Sequence, residues 1–225
     1  MVGTIIVGGG KSNRFGEDKI SYLIDGKPLI YYTALPFIKS NFIDEIVIVL
    51  SKDNYKKIKK YFENLKKIRD IIIGGEERKN SVINGLEFFL NSNIDKVLIH
   101  DGARPIVKLE LINEIVYKID DKKCIVPVIA ATETIKFIKN KKIKTLNRDF
   151  LYITQTPQGF PFPKIYYLYK KYENIKLFDD SMVFELENEE IELINGDLSN
   201  IKVTYNNDMI EVINFIQKNE DRYRI

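Results

Sequence analysis

Short, β-branched apolar runs alternate with segments whose apolar residues recur at helical spacing, and this alternation constrains the fold more than any other feature of the chain. The runs are Thr4–Val7, Glu45–Leu50, Asp70–Ile73, Lys96–His100 and Cys124–Val128. Between them lie Pro28–Ser40, Asp53–Lys67, Asn80–Asn91 and Leu109–Ile119, each with a helical apolar stripe. Continuous apolar strands separated by helices form a parallel sheet covered on both faces.

The expected architecture is therefore α/β and Rossmann-like, with a mostly parallel sheet and helices on both sides. Its 225 residues suit a single domain over 1–225. After Val128 the pattern changes. Residues from Ala130 to about Thr156 read as two β-like stretches around the polar turn Lys139-Asn140-Lys141-Lys142. This predicts a projecting β-arm over about 130–156, and such an arm suits docking on a second copy in a homodimer. The chain closes with a β-like Ile201-Lys202-Val203-Thr204 and a helix from Asn206 to about Lys218.

In open α/β sheets, ligands sit outside the carboxyl ends of the strands. Three predicted strands end there in unusual sequence: Val7 runs into Gly8-Gly9-Gly10, Ile73 into Gly74-Gly75, and Ile99 into His100-Asp101-Gly102-Ala103-Arg104-Pro105. All three loops should meet along one rim. Gly10-Lys11-Ser12 resembles the end of a P-loop, but Ile5 stands where that motif requires its first glycine. The dinucleotide fingerprint also fails, because its third glycine falls on Asn13. What stands is a triple glycine followed by Arg14 and Lys19. Bare backbone N–H groups and two cations suit a triphosphate.

Composition excludes several classes. There are 35 basic and 32 acidic residues, too balanced for a dedicated nucleic-acid binder. No apolar run approaches the ~20 residues of a membrane span, and the cytoplasm is the expected location. The one cysteine, Cys124, lies in an apolar run and reads as a small buried hydrophobe. The one histidine, His100, reads as structural. Asp179-Asp180-Ser181 reads as an acidic helix start.

The ordered motifs Gly8–Lys19, Gly74–Val82, His100–Pro105, Glu133-Thr134-Ile135-Lys136, Arg148, Thr156-Pro157-Gln158-Gly159-Phe160, Asp179–Ser181 and Ile201–Thr204 resemble those of a known family. These are the cytidylyltransferases of the non-mevalonate isoprenoid pathway, and the likeness covers nearly the whole chain. The resemblance implies transfer of CMP from CTP to 2-C-methyl-D-erythritol 4-phosphate, with release of pyrophosphate and a divalent cation such as Mg2+ as cofactor. It implies catalytic roles for Arg14 and Lys19, and nucleotide contacts from Gly8, Gly9, Gly10, Gly75, Ser81, Asp101 and Lys202. Arg104, Thr134, Arg148, Thr156 and Lys202 would bind the acceptor, with Arg148 and Thr156 reaching it from the neighbouring subunit. Departures from the family pattern are Gly8 and Gly9 in place of two alanines, Ser12 at a common glycine position, Asp18-Lys19-Ile20 in place of Pro-Lys-Gln, and Glu133 in place of aspartate. A ribitol 5-phosphate cytidylyltransferase is the alternative, since both acceptors are polyol phosphates. A nucleotide-binding protein without catalysis is a more distant one.

Overall fold

The computed structural model describes residues 1–9 and 18–223. In chain order its strands are β1 (Val2–Gly8), β2 (Leu23–Ile24), β3 (Lys27–Pro28), β4 (Glu45–Leu50), β5 (Ile68–Ile73), β6 (Lys96–Asp101), β7 (Lys123–Ala130), β8 (Lys136–Lys139), β9 (Lys142–Thr145), β10 (Tyr152–Thr154), β11 (Gln158–Pro161) and β12 (Glu190–Asn195). The α-helices are α1 (Leu29–Lys39), α2 (Lys52–Ile58), α3 (Arg78–Phe88), α4 (Leu109–Lys118), α5 (Phe162–Lys171), α6 (Met182–Glu185), α7 (Asn206–Lys218) and α8 (Glu220–Tyr223).

One sheet organises these elements. Its order is β10-β7-β11-β6-β1-β4-β5, with β12 parallel to β7. β1 pairs in parallel with both β4 and β6, and β4 with β5. β10 and β11 run antiparallel to β7, and β11 also to β6, so the sheet is mostly parallel with an antiparallel insertion.

Strand alternation divides the core between the two faces of the sheet. Ile6, Ile48 and Leu98 pack with Ile30 and Phe37 of α1 and with Ile112 and Ile115 of α4. Their neighbours Ile5, Val47, Val49, Val97 and Ile99 pack with Val82 and Leu86 of α3 and with Ile165 and Leu168 of α5. Central strands must be apolar on both faces, which is why these runs lack alternation in sequence. Burying each such side chain contributes about 1.5–3 kcal/mol. Met209, Val212 and Ile216 of α7 pack separately against Leu29, Tyr32 and Leu35.

Predicted elements and observed ones differ in four places. The helix expected over Asp53–Lys67 stops at Ile58 and passes through a 3-10 turn at Lys59–Tyr61. The stretch Ile201–Thr204 forms no strand. It lies beside the loop after β6, not beside a strand, and its backbone is pinned by single bonds such as Val203 N–H to the Ala103 carbonyl. The short β2–β3 hairpin was not anticipated. Neither was β11, which carries Pro157 at its entrance and Pro161 at its end yet is buried throughout.

Within the stretch 130–156 the structure forms a hairpin shorter than the expected arm, because Tyr152–Thr154 joins the central sheet beside β7. β8 and β9 pair antiparallel from Lys136↔Thr145 to Lys139↔Lys142. Asn140 and Lys141 make the turn with φ of 49° and 63°, the left-handed pair that suits a two-residue hairpin. All eight strand residues are exposed. No helix among the described residues is long and apolar enough to cross a membrane.

Candidate active site

Gly9, directly after β1, and the loops after β5 and β6 converge. The Gly102 N–H donates to the Val7 carbonyl, and the Gly74 N–H to that of Leu50. Ser81, in the second turn of α3, packs between the first two loops. A Cβ on Gly9 would meet Ser81 Oγ at 2.9 Å, and one on Gly74 would clash with the same atom. Close approach to Ser81 therefore favours glycine at both positions, and Gly8, Gly9, Gly75 and Ser81 lie in one region of the sheet edge. Gly10 and Arg14 lie outside the described residues.

Asp101, the last residue of β6, is the centre of the site. Its Oδ1 accepts from Arg78 Nε at 2.9 Å and its Oδ2 from Lys202 Nζ at 2.7 Å. Arg104 Nε stands 3.8 Å from Oδ2. Burial raises the Asp101 pKa, but Arg78, Lys202 and Arg104 outweigh it and hold the carboxyl well below the usual range. Burial likewise works against the Arg78 charge, and the carboxylates of Asp180 and Asp101 overcome it and raise its pKa. Arg104 is only 9% exposed. Burial lowers its pKa, partly offset by Asp101. Its Nη1 donates to the Asn200 carbonyl at 2.7 Å, while buried Nε has no hydrogen-bond acceptor among the described residues.

Two further segments complete the rim. Lys19 begins a 3-10 turn capped by the Asp18 side chain, and its Nζ donates to the Val203 carbonyl at 2.8 Å. Lys19 and Lys202 are thus joined through one short stretch of backbone. Thr156 Oγ1 accepts from the Asp101 N–H at 3.0 Å and lies 3.0 Å from His100 Nδ1. The other ring nitrogen, Nε2, lies 3.0 Å from the Arg104 carbonyl. A carbonyl accepts only, so Nε2 carries the proton and Nδ1 accepts from the Thr156 hydroxyl. Burial lowers the His100 pKa to about 4. The histidine is neutral, enclosed and structural, as its place at a strand end predicted.

Two expectations are corrected by the geometry. Thr156 was expected to reach a neighbouring subunit's site, but it is buried beside Asp101 of its own chain, where its hydroxyl is already engaged. Asp179 does behave as a helix-start residue, accepting from the Met182 N–H at 3.1 Å. Asp180 does not; it is fully buried and takes Arg78 Nη1 and Nη2 in a fork at 2.7 and 2.6 Å. Thr134 and Arg148 are not brought to the rim. Both are exposed on the arm, and Arg148 donates to the Thr132 carbonyl at 2.6 Å.

Arg78 and Asn200 were not assigned roles from sequence, and Asp180 was read only as part of an acidic helix start. Arg78 lies inside the motif Gly74–Val82, but nothing local pairs it with a residue 102 positions away. Asn200 donates to the Thr156 carbonyl at 2.8 Å and its own carbonyl receives Arg104. Cys124 is buried, and burial pushes its thiol pKa up to about 12, as a packing residue requires.

A glycine-lined strand end beside a rim of lysine and arginine, on a mostly parallel sheet, is suited to binding the phosphates of a nucleotide. The sequence profile of a family described as "IspD: 2-C-methyl-D-erythritol 4-phosphate cytidylyltransferase" matches residues 2–218. A protein of Clostridium botulinum (strain Eklund 17B / Type B) with that enzyme name is 37% identical over 218 residues, 93% of this chain and 96% of the relative. One of Dictyoglomus thermophilum with the same name is 35% identical over 224 residues, 96% of each. The crystal structure of 4-diphosphocytidyl-2C-methyl-D-erythritol synthase from Anaerococcus prevotii DSM 20548 is similar at a TM-score of 0.83 and 30% identity, covering 96% of both chains. The chain belongs to the 2-C-methyl-D-erythritol 4-phosphate cytidylyltransferase family.

Proposed function

We propose that this chain transfers CMP from CTP to 2-C-methyl-D-erythritol 4-phosphate, forming 4-diphosphocytidyl-2-C-methyl-D-erythritol and pyrophosphate. The observation that carries the reading is the cluster of Arg78, Arg104 and Lys202 around Asp101, with Lys19 tied to the same backbone, at the meeting of the glycine loops. Family membership supplies the substrates. The ribitol phosphate alternative is not favoured, because the matching profile and the relatives described above carry the methylerythritol name.

The acceptor is a phosphate monoester with a second pKa near ~6, largely dianionic at neutral pH. One of its oxygens attacks the α-phosphorus of CTP. The new P–O bond forms as the bond to the β-phosphate oxygen breaks, and pyrophosphate leaves. No general base is required. The engagement of both His100 nitrogens within the protein agrees with that. The obstacle is the approach of a dianion to a triphosphate, and fixed positive charge lowers it. In this reading Arg14 and Lys19 stabilise the charge on the triphosphate. Gly8, Gly9, Gly10, Gly75 and Ser81 hold the nucleotide, and Lys202 and Arg104 meet the acceptor. Lys202 has 41% of its side chain exposed, so its ammonium is open to an incoming anion.

Asp101 is a poor magnesium ligand as it stands, since three cations enclose it. Among the described residues no group of three His, Cys, Asp or Glu side chains is arranged to hold a metal. Magnesium is accordingly proposed as a companion of the triphosphate and not as a resident of a protein cluster; no step above depends on its position.

The homodimer is supported by the arm. Phe137, Ile138 and Ile143 of the hairpin are exposed, as are Phe150, Tyr152 and Ile153 where the chain returns to the sheet, and a two-stranded hairpin with uncovered apolar side chains is poorly stable alone. Thr134 and Arg148, placed away from their own rim, would serve the acceptor site of a second copy. A cytoplasmic location fits the water-soluble substrates and the single buried thiol. Pyrophosphate release with CTP, UTP, ATP and GTP offered in turn, each with methylerythritol phosphate, tests the nucleotide assignment. CTP should be used at least tenfold better than the others; equal use of a purine triphosphate would refute it.

A further inference from the structure

We propose that Arg78 is a positioning residue for the transfer reaction, holding Asp101 through a relay that runs Asp101–Arg78–Asp180–Tyr169 from the rim into the core. The inference rests on the function proposed above and goes beyond it, because neither Asp180 nor Tyr169 faces the rim.

The geometry is specific. Arg78 is the first residue of α3, and its guanidinium makes three directed contacts: Nε to Asp101 Oδ1 at 2.9 Å, Nη1 to Asp180 Oδ1 at 2.7 Å and Nη2 to Asp180 Oδ2 at 2.6 Å. The last two form a parallel fork, which fixes the plane of the group as well as its place. Asp180 is fully buried and also accepts from the Tyr169 hydroxyl, itself in the core on α5. The four residues come from four separate segments, so the relay ties the start of α3 and the end of β6 to α5 and the Asp179–Ser181 turn.

Burying Asp180 has a cost that an apolar replacement would avoid, since a buried ion pair rarely stabilises more than well-packed hydrophobic residues of the same volume. What the pair supplies is orientation. With Oδ1 of Asp101 fixed by Arg78, only Oδ2 faces Lys202, at 2.7 Å, and Arg104, at 3.8 Å. The relay therefore sets where the Lys202 ammonium waits before it meets an incoming phosphate. Lysine at this position of Arg78 would keep a charge but lose the fork.

Two variants test this, each made alone and combined with Asp101→Asn. Asp180→Asn should lower kcat/KM for methylerythritol phosphate about thirtyfold and Tyr169→Phe about fivefold, as misplacement of a reacting group predicts. In the Asp101→Asn background each should change kcat/KM by less than about twofold, because the relay acts only through that carboxylate. Full multiplicative losses in that background, or Asp180→Asn within about twofold of wild type, would overturn the proposal. Tyr169→Phe keeps the ring in the core and carries the same cycle should Asp180→Asn not fold. A readout without substrate is hydrogen exchange at the Arg78 Nε–H. It should quicken at least about tenfold in Tyr169→Phe or Asp180→Asn, and unchanged exchange in both overturns the relay. Wild-type protein inactive on methylerythritol phosphate would count against the proposed function, while the exchange measurement still decides the relay.

Discussion

Charge at single residues carries the chemistry. Lys19→Ala removes a cation from the edge of the proposed triphosphate site, and removal of one such fixed group costs on the order of 100-fold in kcat. Turnover within threefold of wild type, in a steady-state pyrophosphate assay, would remove Lys19 from the mechanism. His100 makes a different prediction, about stability. Its folded pKa is depressed to about 4 by burial, against ~6.5 in an unfolded chain. The unfolded state therefore takes up the proton first. The stability contributed by the neutral ring is complete above pH ~6.5 and falls by about 3 kcal/mol as pH drops toward 4. Urea midpoints of wild type should decline through this window more steeply than those of His100→Asn; parallel curves would contradict the assignment. Asp101, with its pKa depressed well below the usual carboxylate range, contributes in the lower window, its stabilisation being lost only as pH falls below ~3.9.

At the scale of elements, sequence and structure agree where burial imposes a simple period. β1, β4 and β6 were legible because a strand covered on both faces must be apolar throughout, and α7 because its stripe repeats at helical spacing. β11 was hidden for the opposite reason: Gln158-Gly159-Phe160-Pro161 has loop composition and becomes a strand only by insertion between β6 and β7. The Ile201–Thr204 segment misled because its alternation of apolar and polar residues serves a loop contact. Among site residues the glycine loops, Asp101 and Lys202 could be read locally, whereas Arg78 and Asp180 meet only through the fold. The arm is the element whose role most needs a partner. Replacing residues 136–145 with a short turn should convert dimers to monomers in sedimentation velocity, and an intact dimer would refute the arm's role. Arg148→Ala should raise KM for methylerythritol phosphate on the order of tenfold, the loss of one charge-assisted contact, with KM for CTP within about twofold. Equal damage to both would refute the acceptor assignment.

For the whole molecule, the sheet brings three glycine-bearing strand ends to one rim, and the loop after β6 together with the Ile201–Thr204 segment supplies the opposing charge. The relay beneath Asp101 couples this rim to the core, so acceptor recognition is as much a property of packing as of surface residues. The central claim is that this rim joins CMP to a methylerythritol phosphate. The most direct measurement is 31P NMR of purified protein with CTP and magnesium, with methylerythritol phosphate and ribitol 5-phosphate supplied in parallel. The account predicts a new diphosphate signal and free pyrophosphate with methylerythritol phosphate, at a rate at least about tenfold above that with ribitol phosphate. A diphosphate product formed only from ribitol phosphate, or from neither acceptor, would contradict it.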